Sequence, residues 1–314
     1  MKFTKMQGAG NDYIYVDCTK KLLKNPSKTA IKVSERHFGI GSDGMILIKS
    51  SDKADFFMEM YNADGSQGKM CGNGIRCVGK YVYDNKLTDK TTVKVDTLSG
   101  VKTLELKLGD DGKVESVKVD MGAPILEAEK VPVNTAVLKP ADGETAVINQ
   151  PLVVDGKSYN VTCVSMGNPH AIVYLDNDID IKKFELEKIG PGFEKHEAFP
   201  DRVNTEFVQV LNRKEVKMRV WERGSGETLA CGTGTCATVV ACVLNDLTDH
   251  EITVHLLGGD LYLNYREQMV AFTWEQLMKR HITESLRTLY KRFCKEDEMS
   301  AERMAVSYTH LTLP

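Results

Sequence analysis

Met70-Cys71-Gly72-Asn73-Gly74-Ile75-Arg76-Cys77 and Ala230-Cys231-Gly232-Thr233-Gly234-Thr235-Cys236 carry one pattern twice, a cysteine followed by Gly-x-Gly. The leading cysteines lie 231 − 71 = 160 residues apart in a chain of 314. The same offset carries Phe56, Met58, Met60 and Tyr61 onto Val216, Met218, Val220 and Trp221. Further upstream, Gly10-Asn11 matches Gly167-Asn168 at an offset of 157, a difference that a few loop residues account for. This reads as an internal duplication. It predicts two halves of one design, with two matched thiols facing one site from opposite halves.

Working outward from the cysteines, each half repeats a local order. Phe56 to Tyr61 and Val216 to Trp221 read as strands, the second with alternating apolar residues, and each runs through a polar loop into its cysteine. After the cysteine the period becomes helical: Ile75, Val78, Gly79 and Val82 fall on one face, as do Cys236, Val239, Val240, Val243 and Leu244. No charged residue lies between Gly232 and Asp246, so the second helix is expected to be buried on most sides. Phe3 to Asp17 reads as strand, glycine turn, strand, and Lys28 to His37 as a helix before the strand Met45 to Ile48. Thr92 to Val95, Val101 to Leu108, Val114 to Met121 and Val153 to Val164 read as further strands. Strands in runs separated by turns such as Gly109-Asp110-Asp111-Gly112 indicate an α+β fold with largely antiparallel sheet. After the strand-like Tyr262 to Tyr265, a new period through Trp274, Leu277, Met278, His281 and Ile282 predicts a helix from about Trp274 to Lys295 without a counterpart in the first half. Ala305 to Pro314 shows no period and resembles the peptide that sequencing-adapter read-through encodes.

Composition narrows the class. At 42% hydrophobic and 27% charged residues, with net charge −3 and no basic block, the chain reads as a soluble globular protein without nucleic-acid affinity. No stretch is apolar enough to span a membrane, and the N-terminus lacks the apolar segment of a secretory signal. Eight cysteines are too dilute for a disulfide scaffold, which places the protein in the cytoplasm. Their intervals are not those of zinc pairs, so no metal is expected.

A cysteine just before a helix sits where backbone N–H groups and the helix dipole favour negative charge, so a lowered thiol pKa is expected. The glycine turn after it would hold a carboxylate. If that carboxylate belongs to an amino acid, the same N–H groups stabilise the charge that develops when the α-proton leaves. One thiolate base and one thiol acid on opposite faces of the α-carbon then invert its configuration. No lysine context or phosphate cradle points to pyridoxal phosphate, so no cofactor is expected. Cys77, Cys236 and Cys242 fall within the helices and read as core, while Cys18, Cys163 and Cys294 show no context. Asn11, Asn62, Asn73, Asn168 and Asn204 sit at turns or strand ends, where asparagine is common for its geometry alone. Glu222-Arg223 fits an ammonium acceptor and a carboxylate clamp, and His170 could tune a thiol.

Together, Gly8-Ala9-Gly10-Asn11-Asp12, Met70 to Cys77, Gly167-Asn168-Pro169-His170 and Glu222-Arg223-Gly224-Ser225-Gly226-Glu227-Thr228-Leu229-Ala230-Cys231-Gly232-Thr233-Gly234 resemble the diaminopimelate epimerases, from Met1 to about Tyr265. The resemblance implies a cofactor-independent isomerase that interconverts LL- and meso-diaminopimelate in lysine and cell-wall precursor synthesis. It implies two pseudo-symmetric α+β domains, each a largely antiparallel sheet curled around a central helix, with the active site in the cleft between them, and a homodimer. Residue by residue it implies Cys71 and Cys231 as the catalytic pair, and Gly72, Asn73, Gly232 and Thr233 as carboxylate-binding helix ends. Asn11, Asn62, Asn168, Asn204, Glu222 and Arg223 become substrate contacts, with His170 and Glu222 as the polar groups near the thiols. Gly44 stands where some members carry a glutamine contact.

The domain bounds expected are 1–122, with about 266–273 as a candidate return into that half, then 123–265, then an atypical tail over 274–314. Family members end in a closing strand, whereas here Phe272-Thr273-Trp274-Glu275 is expected to lead into the helix, as in a frameshifted or chimeric terminus. Three other readings compete: a proline or hydroxyproline epimerase-like enzyme, a catalytically silent amino-acid-binding protein, and a redox protein that cycles a Cys71–Cys231 disulfide. Asn73 and Glu222-Arg223 disfavour the first, and the presence of both cysteines disfavours the second.

Overall fold

The duplication extends from the cysteine turns to the pairing of the strands around them. A computed structural model describes residues 1–266 and 269–274, and these divide into two units, 1–117 and 118–274. In the first, β1 (Thr4–Gly8) and β2 (Asn11–Asp17) form an antiparallel hairpin turned by Ala9 and Gly10 at φ 56° and 80°. After α1 (Pro26–Ser34), β3 (Gly44–Lys49) runs parallel to β2 and β4 (Phe56–Asn62) antiparallel to β3. The short β5 (Gln67–Gly68) pairs antiparallel with β4 and leads into α2 (Gly72–Asp84). Then β6 (Thr92–Asp96) lies parallel to β4, and β7 (Lys102–Leu108) antiparallel to β6. The strand β8 (Val114–Gly122) leads into the second unit.

There β9 (Gln150–Val154) precedes β10 (Lys157–Ser165), which pairs antiparallel with β11 (Pro169–Tyr174). After α3 (Leu186–Glu194), β12 (Asn204–Asn212) runs parallel to β11, and β13 (Glu215–Glu222) antiparallel to β12. The strand β14 (Gly226–Thr228) returns along β13 into α4 (Gly232–Leu244). Next, β15 (Glu251–Leu256) lies parallel to β13, followed by β16 (Gly259–Arg266) and β17 (Met269–Trp274) in antiparallel succession. From β1 to β7 and from β10 to β16 the order and the sense of each pairing coincide. Register coincides too: Tyr13 faces Gly44 as His170 faces Asn204, and Met45 faces Tyr61 as Thr205 faces Trp221.

Each unit is thus an α+β body in which a largely antiparallel sheet wraps a helix. In the first unit α2 packs on β1, β2 and β7, strands from the two ends of the pairing order. Every residue of α2 from Gly72 to Val82 is buried, and Gly79 is what admits Leu104 and Leu106, which would lie 2.8 and 3.0 Å from a Cβ there. Its two buried cations are paired, Lys80 with Asp84 at 2.9 Å and Arg76 with the Asn73 side chain at 2.9 Å. The uncharged α4 is buried as its composition predicts. Cys77, Cys236 and Cys242 lie in the cores of these helices, and burial pushes the Cys77 thiol up to about 11 and that of Cys242 up to about 12.

Two expectations change, and one helix has no sequence signal. Val153 to Val164 is a hairpin, because Asp155-Gly156 takes φ 49° and 78°, the left-handed pair that turns a two-residue loop. The helix α3 carries no helical signal in the sequence, because Gly190, Pro191 and Gly192 look like breakers; tertiary packing overrides them, since a Cβ on Gly190 would lie 2.3 Å from the Trp221 ring. Finally, Met269–Trp274 is a strand paired with Gly259–Arg266, so Phe272 to Trp274 continues the sheet instead of opening a helix. The rest of the helix expected to Lys295, the tail behind it and Cys294 lie outside the described residues.

Candidate functional site

Both duplicated cysteines are helix N-caps with nearly the same backbone, φ −132° and ψ 118° at Cys71, φ −118° and ψ 111° at Cys231. A thiol stands where serine, threonine or asparagine usually caps a helix. Cys71 Sγ accepts the Gly74 N–H at 3.3 Å, and Cys231 Sγ accepts that of Gly234 at 3.4 Å. Neither helix carries an acidic residue in its own first turn, so the positive end of each dipole keeps its attraction for an anion.

In the first unit Cys71 is half-buried and donates its S–H to Asn11 Oδ1 at 3.2 Å. The orientation of Asn11 is fixed from behind: its Nδ2 donates to Asp43 Oδ2 at 2.7 Å. Asp43 in turn is held by Arg36, whose Nη2 lies 2.8 Å from Asp43 Oδ1 and 2.9 Å from Asp12 Oδ1. The Tyr13 hydroxyl also reaches Asn11 and Cys71, and burial holds that phenol protonated far above its ordinary range. Asn62 ends β4 opposite Gly44 and donates to Ser66 Oγ at 3.0 Å, while the Asn73 side chain is buried and turned back onto Arg76. What Asn73 offers outward is therefore backbone. A glutamine at position 44 has no room, since a Cβ there would lie 2.2 Å from the Tyr61 carbonyl oxygen and 2.7 Å from the Tyr13 ring.

In the second unit Cys231 is buried, and its Sγ lies 3.5 Å from the Thr233 hydroxyl. Asn168 Nδ2 donates to Thr233 Oγ1 at 3.3 Å, and Asn168 Oδ1 lies 3.1 Å from His170 Nε2. The other ring nitrogen, Nδ1, lies 2.7 Å from Glu206 Oε1, with both side chains fully buried. Glu222 takes the Thr228 hydroxyl on Oε1 and contacts the Cys231 thiol. Asn204 is buried, donating to the Pro169 carbonyl at 3.2 Å and accepting the Arg223 N–H at 2.9 Å. Arg223 itself is exposed and reaches the Asp201 carbonyl at 3.0 Å, with the turn behind it held by Glu194, which accepts the Gly224 N–H at 3.0 Å.

The electrostatics at Cys231 run against the expectation of a lowered pKa. Burial, then the charges of Glu222 and Glu206, push this thiol well above its ordinary value, and the Thr233 and Gly234 donors offset only part of that. Desolvation and two carboxylates outweigh one helix end. Glu222 is raised too, first by burial and then by Glu206.

Of the residues singled out in the sequence, the first unit brings together Cys71 and Asn11, and the second Cys231, Thr233, Asn168, His170 and Glu222. Tyr13, Asp43 and Glu206 were not anticipated. A carboxylate inside the buried run Thr205-Glu206-Phe207-Val208 is the signal that could have found the last.

Chains of known structure share this architecture at low sequence identity. A hydroxyproline epimerase from Agrobacterium vitis superposes with a TM-score of 0.60 at 12% identity, over 86% of this chain and 87% of that one. A phenazine biosynthesis protein of the PhzF family from Bacillus anthracis does so with 0.57 at 16% identity, over 87% and 96%. These likenesses define the fold class, a duplicated α+β body with a sheet wrapped around a helix in each half. Sequence narrows it further: the diaminopimelate epimerase family model matches residues 3–127 and 162–275, and the chain belongs to that family. It is 58% identical over 265 residues to a diaminopimelate epimerase from Agathobacter rectalis, covering 84% of this chain and 92% of that one. The enzymes from Acetivibrio thermocellus (57%, covering 85% and 91%) and Methanococcus maripaludis (55%, covering 85% and 93%) are similar to it to nearly the same degree. A second family model, of unknown function, matches residues 257–311. Among the described residues no helix is long and apolar enough to cross a membrane.

Proposed function

We propose that this chain interconverts LL- and meso-diaminopimelate by passing an α-proton between two thiols, Cys71 and Cys231. The observation that carries the reading is the repeated N-cap, a cysteine accepting the third N–H of its own helix in both units. The carboxylate at the reacting centre would lie against the backbone of Gly72-Asn73 and Gly232-Thr233, where it gains most as charge develops on its oxygens. Asn11, Asn62, Asn168, Asn204, Glu222 and Arg223 are the candidate contacts for the remaining polar groups of a substrate with two amino-acid heads, and His170 with Glu222 sets the surroundings of Cys231.

The inequality of the two thiols suggests a starting state. Cys231, raised by burial and two carboxylates, begins as the S–H acid, and the half-buried Cys71 becomes the thiolate base once the proton it directs at Asn11 Oδ1 has left. The α C–H bond breaks as an S–H bond forms at Cys71, the electron pair spreads into the carboxylate, and the Cys231 proton bonds to carbon from the other face. No oxidation state changes, and the thiols end with their roles exchanged. The chemistry asks for no metal or organic cofactor.

The finer assignments belong to the same proposal: epimerase halves of 1–122, with about 266–273 as a candidate addition, and 123–265, a homodimer in the cytoplasm, and a small-molecule substrate without a nucleic-acid partner. Proton NMR of LL-diaminopimelate in D₂O, with enzyme, a reductant and no added cofactor, tests the reaction. Loss of one α-proton signal with growth of the meso isomer is expected, and an unchanged spectrum defeats the reading. Cys71→Ala and Cys231→Ala should each abolish turnover.

A further inference from the structure

The two units differ most where they are otherwise in register. Beneath Gly74 lies Ile46, whose Cδ1 would be 2.6 Å from a Cβ on that glycine; beneath Gly234 lies Glu206, whose Oε1 would be 2.3 Å away. Positions 46 and 206 are 160 apart, so a carboxylate replaces an aliphatic side chain at the same place in the fold. A fully buried carboxylate is costly unless it is paired and hydrogen-bonded. Its Oε1 binds His170 at 2.7 Å, while Oε2 is buried with no hydrogen-bond partner among the described residues. From His170 the bonds continue through Asn168 to Thr233, whose hydroxyl lies 3.5 Å from the Cys231 sulfur.

We propose that Glu206 is a positioning residue for the Cys231 half of the site, anchoring through the His170 ring the Asn168 amide and the Thr233 hydroxyl that face the thiol. The role rests on the epimerase reading given above. A carboxylate and an amide oxygen both only accept, so this chain of bonds requires a proton on His170 Nδ1 toward Glu206 and one on Nε2 toward Asn168 Oδ1. The carboxylate also adds to the negative field around the sulfur. The groups facing Cys231 are Glu222 from β13, Glu206 from β12, and the Thr233 hydroxyl and Gly234 N–H from α4, with His170 from β11 beside both carboxylates. Ile46 can supply neither effect, so the asymmetry at this position separates the behaviour of the two thiols.

The test reads thiol reactivity and needs no substrate, so it can fail while the epimerase reading stands. Iodoacetamide alkylation of Cys231 and Cys71 is followed by peptide mass spectrometry from pH 7 to 10 in the wild type, Glu206→Gln and Glu206→Ile. Both variants should alkylate Cys231 about tenfold faster at pH 8, one decade per pKa unit, with the Cys71 rate unchanged. Epimerisation should lose more in kcat than in KM, and Glu206→Gln, which keeps an acceptor for His170, should lose less than Glu206→Ile. Unchanged Cys231 rates, or equal acceleration of both cysteines, overturn the proposal. Should neither variant fold, ¹⁵N-histidine NMR of the wild type decides: a proton on His170 Nδ1 through pH 6 to 9 is expected, and a tautomer protonated only at Nε2 overturns it.

Discussion

Asp43 accepts the Asn11 amide N–H at 2.7 Å, and that bond decides which end of Asn11 meets Cys71. With Nδ2 committed to the carboxylate, only Oδ1 is left for the thiol. Asp43→Ala frees the amide to rotate and present N–H to sulfur. A hydrogen bond to a charged group contributes about 1.5–3 kcal/mol, so kcat should fall by about 10- to 100-fold. Steady-state kinetics in both directions check this, and Asp43→Asn, which keeps one acceptor oxygen, should lose less.

Gly44 has no space for a side chain. With Tyr61 O 2.2 Å and the Tyr13 ring 2.7 Å from an added Cβ, Gly44→Gln must displace backbone between β3 and β4. Overpacking of this kind costs about 1–3 kcal/mol. The urea midpoint of the variant should fall accordingly, with no gain in substrate affinity.

Alanine at the two helix glycines should separate stability from activity. In Gly74→Ala the new methyl meets the end of Ile46, which can give way, so the loss should be mainly in melting temperature. In Gly234→Ala it meets Glu206 Oε1, and yielding there breaks the bond to His170. The second variant should lose at least tenfold more kcat than the first at matched loss of stability, as thermal melts alongside initial rates would reveal.

Glu222 should cost stability at neutral pH. Its folded pKa is raised, so between the unfolded value near 4.3 and the folded one the native state binds more protons, and stability falls as pH rises through that window. Glu222→Gln removes the penalty. It should melt higher than the wild type at pH 7, with the gap closing by pH 4, and be nearly inactive; equal melting temperatures at pH 7 would contradict the argument.

Buried thiols make the alkaline limb steep. Folded values raised to about 11 for Cys77 and about 12 for Cys242 mean that their contribution is complete below the unfolded thiol value near 8.5. It is lost as pH rises above that, because the unfolded chain releases these protons first. Under reducing conditions the urea midpoint should drop between pH 8 and pH 10, and drop less in Cys242→Ala.

The repeat of Cys-Gly-x-Gly at 160 residues determined the duplication, the two helices behind the cysteines and the candidate thiol pair, because helical and strand periods and glycine turns are local properties of the chain. Local signals failed where packing overruled them, as in α3, whose Gly190 and Gly192 make room for Trp221 and Val154. They also failed at Val153 to Val164, where the turn residues Asp155-Gly156 were present but outweighed by the apolar run. The identity of the residues behind the site was settled only by tertiary structure. Asp43 reaches Asn11 across 32 positions and Glu206 reaches His170 across 36, each through a parallel strand pair that no sequence period announces. The sign of the Cys231 shift was decided the same way: a helix N-terminus is legible in sequence, but the two carboxylates and the burial that outweigh it come together only when β12, β13 and α4 pack.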